Sequence, residues 1–214
     1  MRIHPAPQGS GEWLLARSTI LTASNLSKVL TPAKLEFSTA QTCHDYASCI
    51  AAARVWGIYA DTVSGPKAER GSLMEAEARL AYLMLSGENI HESGLCLTDD
   101  SLFGASPDGL ELGDNPKLGL EIKCPEGMDE DVKMAKHLRH LLCTTLPLEY
   151  TMQIQAGLFV TGAEAWDWCS YYPGLPVKIL RVYPDPRVQE AIALAVPKFE
   201  ALVLEYVAKF EALK

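Results

Sequence analysis

Apolar residues recur every three or four positions along the last part of the chain, from Val188 to Phe210. This spacing predicts a long amphipathic helix over residues 187–213. We expect Pro197 to kink or divide this helix, because proline has no main-chain N–H to donate. The residue patterns of four earlier segments also predict helices, over residues 39–56, 67–85, 128–142 and 148–160.

The middle of the chain changes to the shorter period that is typical of strands. We predict strands over residues 90–98, 102–105, 118–123, 165–171 and 177–183. Asp108-Gly109 and residues 113–116 predict turns between the central strands. Thr22 and Ser24 are candidate N-caps of a first short helix. The order of elements predicts a mixed α/β domain around one sheet, and a length of 214 residues favours a single domain, residues 1–214.

The composition is that of a soluble globular protein, with 48% hydrophobic and 21% charged residues. This hydrophobic content excludes intrinsic disorder as the main state, and no apolar run approaches the ~18 residues of a membrane span. The chain begins without the apolar segment of a secretory signal, and its six cysteines form no CxxC pair. We therefore expect free thiols in a reducing cytoplasm. A net charge of −8 excludes a generally basic nucleic-acid binder.

Two acids and a lysine in the central strands form the strongest chemical signal. Residues two apart in a strand point to the same side, so Glu121 and Lys123 should project together while Ile122 faces the opposite layer. A hairpin can bring Asp108 beside Glu121. Two carboxylates with an ammonium group make a hard-oxygen site suited to Mg²⁺ or Mn²⁺. The competing interpretation is an exposed Glu121–Lys123 salt bridge, which is the commoner meaning of an isolated E-x-K.

A site of this kind suits phosphodiester hydrolysis. A divalent metal ion neutralises the phosphate oxygens, lowers the pKa of an attacking water and stabilises the departing 3′ oxygen. A neighbouring ammonium group can orient that water and stabilise the charge that develops at phosphorus. The pattern therefore predicts metal-assisted cleavage of a phosphodiester.

Six ordered motifs extend the pattern beyond P-D…E-x-K. They are W-x3-R with T-A-S (residues 13–24), R-G-x3-E-x2-A (70–78), S-P-D-G-L (106–110), L-E-I-K-C-P (120–125), Y-x2-Q-x-Q (150–155) and V-T-G (160–162). With them the chain resembles the lambda-type phage exonucleases, also called the YqaJ-like viral recombinase family, of the PD-(D/E)XK nuclease superfamily. The resemblance implies an α/β fold with a restriction-endonuclease-like core, in which helices flank a central mixed β-sheet.

The resemblance also implies a role for each matching residue. Lys123 would position the nucleophilic water, and Gln153 would help to hold that water. The metal-binding groups would be Asp108, Glu121, Glu75 and, as a candidate further ligand, the main-chain carbonyl of Ile122. Without the resemblance to this family, the preferred interpretation of Glu75 is a solvent-facing carboxylate on a helix.

Arg17, Ser24 and Ser106 match the positions that bind the 5′-phosphate of the DNA end in this family. An arginine offers a planar fork to phosphate oxygens, and Ser24 is placed near a helix N-terminus, which favours an anion. Taken alone, these residues are a surface arginine and two helix caps. A 5′-phosphate pocket would make a general phosphodiesterase end-directed.

The family implies a ring-shaped homotrimer that encircles double-stranded DNA. It implies Mg²⁺-dependent 5′→3′ digestion of one strand, with Mn²⁺ as a substitute, leaving a 3′ single strand for recombination. A single-strand annealing protein would be the partner, in the cytoplasm of a bacterial host, with a phage or prophage origin and no membrane. The alternatives are an endonuclease on the same fold and a non-catalytic scaffold that binds DNA ends.

Two further groups have both a chemical and a structural interpretation. His137, His140 and Cys143 have the spacing of half a zinc site, but a polar helix face is the preferred interpretation. Trp166 and Trp168 should share one face of a strand, where core or interface packing is favoured over stacking on DNA bases.

Overall fold

The computed structural model describes residues 1–58, 66–113, 115–125 and 129–214, and for residues 66–73 it describes the main chain only. The helices are α1 (Gly11–Ser18), α2 (Leu26–Val29), α3 (Gln41–Trp56), α4 (Pro66–Ser86), α5 (Glu130–Leu142), α6 (Leu148–Thr161) and α7 (Pro186–Glu211). The strands are β1 (Arg2–Ile3), β2 (Leu21–Thr22), β3 (Ile90–His91), β4 (Cys96–Leu97), β5 (Phe103–Ala105), β6 (Gly109–Glu111), β7 (Leu118–Lys123), β8 (Ala165–Ser170) and β9 (Lys178–Val182). Residue 114 of the predicted turn and the side chain of the motif residue Arg70 lie outside what is described.

The strands form two mixed sheets rather than one. The larger sheet has the order β3-β6-β7-β8-β9, and the smaller has the order β1-β4-β5-β2. The mixed α/β class is thus confirmed, but the strand predicted over residues 90–98 is divided between the sheets. Its first part pairs with β6 and its last part with β5, because the polar stretch 92–94 interrupts the alternation that a continuous half-buried strand requires.

Strand β7 lies inside the larger sheet, antiparallel to β6 and parallel to β8. Leu120 and Ile122 lie in one apolar cluster with Ala78 and Tyr82 of α4. The alternate residues face α6 and the Trp166 ring of β8, and there the packing is close: a Cβ on Gly119 would lie 2.4 Å from that ring. One strand therefore presents an apolar face to α4 and its charged residues to α6.

The start of the chain differs from the prediction. Helix α1 was not predicted, and its N-cap is Ser10, whose hydroxyl accepts a hydrogen bond from the Trp13 N–H. Thr22 ends strand β2, and a single 3-10 turn (Ala23–Asn25) precedes the four residues of α2. Thr22 occupies the N-cap position of this turn, as predicted, but its hydroxyl bonds to side chains and makes no capping hydrogen bond. Ser24 lies inside the turn and is not an N-cap.

Helix α7 continues through Pro197, so the prediction that this proline could divide the helix is wrong. Pro197 is exposed, so the hydrogen bond that proline cannot make is lost on the solvent side. Val196 and Phe199 are buried on the other side, in the main apolar cluster with residues of α3. This packing holds the helix together across the proline.

Candidate active site

The β6–β7 hairpin brings Asp108 next to the E-x-K sequence, as predicted. Asp108 Oδ2 accepts a hydrogen bond of 2.6 Å from the Ile122 N–H, and the Asp108 N–H donates to the Leu120 carbonyl at 3.0 Å. Gly109, however, is the first residue of β6 rather than part of a turn, and it pairs with Leu120. The ladder places Asp108 at the end of the strand that neighbours β7.

Glu121, Lys123 and Gln153 form a closed triangle of hydrogen bonds between β7 and α6. The Lys123 ammonium donates to Glu121 Oε1 at 2.6 Å and to Gln153 Oε1 at 3.1 Å. The Gln153 amide donates to the same Glu121 oxygen at 2.6 Å. Because Glu121 is only 6% exposed, the exposed salt bridge of the competing interpretation is wrong.

An aromatic ring lies beside this triangle. The Lys123 ammonium is 5.5 Å from the centre of the Tyr150 ring, and the Lys136 ammonium is 5.7 Å from the same ring. These distances are within the range of cation–π attraction. Tyr150 packs in turn against Trp168, so the lysine is held by a rigid aromatic surface as well as by its polar partners.

Three carboxylates act on one another in this part of the molecule. Burial raises the pKa of Asp108 well above its usual value, and the nearby charges of Glu121 and Glu75 raise it further. Burial also raises the pKa of Glu75, while the Arg79 guanidinium opposes that rise. The Ile122 N–H and the Lys123 ammonium favour ionised Asp108, but they do not cancel the repulsion.

In the described part of the chain, no three His, Cys, Asp or Glu side chains are close enough together to hold a metal ion as they stand. The donor set nevertheless fits a hard divalent cation, because it consists of carboxylate oxygens. The Glu121 charge raises the pKa of both Asp108 and Glu75, which points the same way, since a cation would relieve that repulsion.

A cavity adjoins the triangle and contains the predicted phosphate-binding residues. Its lining includes Arg17, Ser24 and Ser106 together with Glu121 and Gln153. The structure thus places two of the predicted catalytic residues in the same cavity as the three predicted phosphate-binding residues.

Two of these donors have no partner among the described residues that would compete with a ligand. The Ser106 hydroxyl is buried and makes no hydrogen bond within the described part of the chain, which is costly unless a ligand or water satisfies it. Arg17 stacks over Trp13, with its guanidinium carbon 4.4 Å from the ring centre, and burial lowers its pKa. Among the residues that the structure describes, the Arg17 guanidinium has no hydrogen bond or ion pair.

Ser24 lies near a helix N-terminus, as predicted, but that terminus is a weak one. Ser24 is exposed and lies in the 3-10 turn, and the helix that follows has only four residues. So short a helix has little macrodipole. Anion binding here would therefore depend on side chains, above all Arg17, rather than on a helix N-terminus.

One residue of this region was missed by the sequence reasoning. Arg79 of α4 donates to Glu75 Oε1 at 2.7 Å and to the Asp108 carbonyl at 2.8 Å. The i, i+4 spacing of Glu75 and Arg79 was the signal that could have found this pair.

The two histidines predicted to lie on a polar face of α5 are instead buried. His137 is 0% and His140 4% exposed, and both Nδ1 atoms lie within 2.9 Å of the Ser170 hydroxyl. His137 Nε2 donates to the Pro176 carbonyl, so its Nδ1 accepts from Ser170, and His140 Nδ1 must then be the donor to Ser170. This arrangement uses the imidazoles as neutral hydrogen-bonding groups and not as half a zinc site.

Trp166 and Trp168 share a face of β8, as predicted, and they are 2% and 0% exposed. Gly157 leaves room for Trp166, since a Cβ there would lie 2.6 Å from the ring. Both indoles are part of the core, so they are not available to stack on bases.

The chain matches the YqaJ-like viral recombinase domain over residues 12–164. The chain belongs to the YqaJ-like viral recombinase family. The matched region runs from α1 to the loop before β8, and thus includes both predicted groups of site residues. A search of curated proteins found no match to this chain.

Solved structures agree with the family assignment. This chain is similar to LHK-Exo, an alkaline exonuclease from Laribacter hongkongensis. The two are 27% identical, with a TM-score of 0.77, and the match covers 95% of this chain and 97% of LHK-Exo. The structure of LHK-Exo in complex with dAMP matches with 28% identity and a TM-score of 0.74, over 96% of each chain. A phage-related exonuclease from Haemophilus somnus 129PT matches at 12% identity, with a TM-score of 0.62 over 89% and 96% of the two chains, which shows a shared fold.

Proposed function

We propose that this protein is a Mg²⁺-dependent 5′→3′ exonuclease that resects double-stranded DNA ends. The observation that carries the proposal is the shared cavity in which Arg17 and Ser106 lie beside Glu121 and Gln153. An end-directed enzyme needs the terminal phosphate and the scissile bond to be held close together. An endonuclease has no use for uncommitted phosphate donors at that position.

The family and the matched exonucleases support DNA cleavage from an end. LHK-Exo has been solved in complex with dAMP, a nucleoside 5′-monophosphate. Such a mononucleotide is the product that we propose for this chain.

In the proposed reaction, Lys123 orients the attacking water and places positive charge beside the phosphate. Glu121, Gln153 and the Tyr150 ring fix the position of its ammonium group, so little reorganisation is needed when charge develops at phosphorus. Gln153 is oriented by both neighbours, because its amide oxygen accepts from Lys123 and its amide nitrogen donates to Glu121.

The metal would be held by Asp108, Glu121, Glu75 and the main-chain carbonyl of Ile122. When bound, Mg²⁺ supplies charge neutralisation of the phosphate oxygens and a lowered pKa for the attacking water. Mn²⁺ has the same preference for oxygen ligands and should substitute.

The terminal 5′-phosphate would bind to Arg17, Ser106 and Ser24. Stacking on Trp13 holds the Arg17 guanidinium in one orientation. The Ser106 hydroxyl, which has no partner among the described residues, can donate to a phosphate oxygen. Concentrating the basic contacts in this cavity also reconciles DNA binding with a net charge of −8.

We further propose the assembly and partners that the family implies. The protein would act as a homotrimer around the duplex and leave a 3′ single strand, on which a single-strand annealing protein would load. The protein would be encoded by a phage or prophage and would act in the cytoplasm of a bacterial host. Among the described residues, no helix is long and apolar enough to cross a membrane.

The test uses one linear duplex and one closed circle of the same sequence. Purified protein is added with Mg²⁺, Mn²⁺ or EDTA, and the products are resolved by size. The proposal predicts mononucleotides from the linear duplex with either metal, an intact circle, and no cleavage in EDTA. Cutting of the circle would assign an endonuclease, and binding of linear ends without any cleavage would assign a scaffold.

A further inference from the structure

A single guanidinium group connects the part of α4 that carries Glu75 to Asp108, the residue just before β6. Arg79 Nη2 donates to Glu75 Oε1 at 2.7 Å, and Arg79 Nε donates to the main-chain oxygen of Asp108 at 2.8 Å. Its third nitrogen, Nη1, is 3.1 Å from Glu92 Oε1. The three contacts go to three separate segments of the chain.

These contacts complete the fixation of Asp108. The hairpin holds its N–H on the Leu120 carbonyl and its carboxylate on the Ile122 N–H. Arg79 holds the remaining main-chain group, the carbonyl oxygen. The same side chain holds the Glu75 carboxylate, so the relation between the two acids depends on one residue.

Only an arginine can make this set of contacts. Its five N–H donors lie in a rigid plane, whereas a lysine presents one point of charge on a flexible stem. The Arg79 side chain is 15% exposed and that of Glu75 30%, so this pair is partly shielded from solvent. The Glu92 side chain is 70% exposed, which makes that contact weak by comparison.

We propose that Arg79 is a positioning residue that sets the affinity of the site for its divalent cation by fixing Glu75 relative to Asp108. This inference rests on the proposed function, because it assumes that these acids bind the metal. Arg79 would touch neither the metal nor the DNA. Residues that orient metal ligands in this way typically change metal affinity by about 10–100-fold when they are replaced.

The experiment measures Mn²⁺ binding to the whole protein without DNA, by calorimetry, and the Mg²⁺ concentration that gives half-maximal cleavage. Arg79→Gln is compared with wild type. One matched control is Glu92→Gln, which alters the exposed third contact of the same guanidinium. The other is Tyr82→Phe, which removes the hydrogen bond from α4 to Asp167 and leaves the acids untouched.

We expect Arg79→Gln to weaken Mn²⁺ binding by about tenfold or more, and to raise the half-maximal Mg²⁺ concentration by a similar factor. Cleavage at saturating Mg²⁺ should largely recover. Glu92→Gln should stay within about twofold of wild type, and Tyr82→Phe should lower the melting temperature without changing metal affinity. If Arg79→Gln does not fold, Arg79→Lys replaces it, with the same expectation because lysine keeps at most one of the contacts.

Unchanged Mn²⁺ affinity in folded Arg79→Gln would overturn the inference and leave the proposed function standing. Equal weakening in Tyr82→Phe would also overturn it, because the effect would then reflect the general packing of α4. A wild-type protein that neither binds Mn²⁺ nor cleaves DNA would overturn the proposed function, and this inference with it.

Discussion

Asp108 Oδ2 accepts a hydrogen bond from the main-chain N–H of Ile122, the residue between Glu121 and Lys123. The two halves of the P-D…E-x-K pattern are therefore joined directly through the β6–β7 ladder. Strand residues alternate between faces, so a slip of one position in β7 would turn Glu121 and Lys123 toward α4. The pairing of Gly109 with Leu120 thus fixes both the sheet and the chemistry.

Replacing Asp108 by asparagine should stabilise the metal-free protein. Burial and the charges of Glu121 and Glu75 raise the pKa of Asp108, so the folded state carries a cost whenever this group is ionised. Asn can still accept from the Ile122 N–H. In EDTA at pH 8 we expect a gain of about 1–2 kcal/mol in the free energy of unfolding, measured by urea denaturation, with cleavage and the stabilisation by Mg²⁺ both lost.

The pH dependence provides the control for this variant. The folded-state pKa of Asp108 lies above its unfolded value of roughly 4, so the cost is present above the folded pKa and disappears as pH falls below the unfolded value. The gain in Asp108→Asn should therefore vanish near pH 4. A constant gain across the pH range would show that repulsion at Asp108 is not its cause.

Lys123→Ala should lower the cleavage rate by about 10³-fold while leaving Mn²⁺ and DNA binding largely intact. The reason is that the ammonium acts on the water and on developing charge, and not on the bound ground state. Lys209→Ala is a matched control, because Lys209 also lies over a tyrosine ring, 4.9 Å from the centre of Tyr206, on α7. Normal turnover by Lys123→Ala would disprove its assigned role.

Arg17→Ala should remove most of the preference for 5′-phosphorylated over 5′-hydroxyl ends. Loss of a charge-assisted contact with phosphate costs about 1.5–3 kcal/mol, or roughly 10–100-fold in kcat/KM for the phosphorylated end. The hydroxyl end should change little. Arg187→Ala is the control, since that side chain is 82% exposed, and an equal loss on both kinds of end would remove the pocket from the account.

Ser106→Ala should weaken binding of the 5′-phosphate in the same pocket without lowering the stability of the protein. The hydroxyl is buried without a hydrogen bond to any described residue, so its removal should leave thermal stability unchanged or slightly raised. The 5′-phosphate preference should nevertheless fall. A clear loss of stability would mean that the hydroxyl is satisfied within the free protein, contrary to this interpretation.

The buried His140 should make stability fall in mild acid. Burial, followed by the charge of Lys136, lowers its pKa to about 4, below the unfolded value of about 6.5. The unfolded chain therefore takes up the proton first, and up to about 3 kcal/mol of stability is lost as pH falls from 6.5 to 4. His140→Asn should give a flatter pH profile in thermal unfolding, whereas parallel profiles would contradict this assignment.

The parts of the site that follow strand periodicity were predictable. Residues two apart share a face, and this alone placed Glu121 with Lys123 and put Ile122 on the other side. The approach of Asp108 to Glu121 was expected from a hairpin, but β6 itself was missed, because Asp108-Gly109 has the composition of a turn. Helices such as α3 and α6 were also predicted nearly to their bounds, because their patterns run over at least three turns.

Other features depend on packing between distant segments, which no local pattern records. The hydrogen bonds that join His137 and His140 with Ser170 link residues 30 or more positions apart, and a polar helix face was the natural interpretation of those histidines. The division of residues 90–98 between two sheets is of the same kind. Arg79 shows a middle case, because its link to Glu75 is local but its link to Asp108 is not.

The most direct test of the central claim follows the first nucleotides released from a duplex. The duplex carries a 5′-phosphate on one strand, with one label at its 5′ end and a different label at its 3′ end. With Mg²⁺ we predict immediate release of the 5′ label as a mononucleotide, late release of the 3′ label, and much slower release when the end carries a 5′-hydroxyl. Release that begins at the 3′ end, or that ignores the 5′-phosphate, would contradict the account.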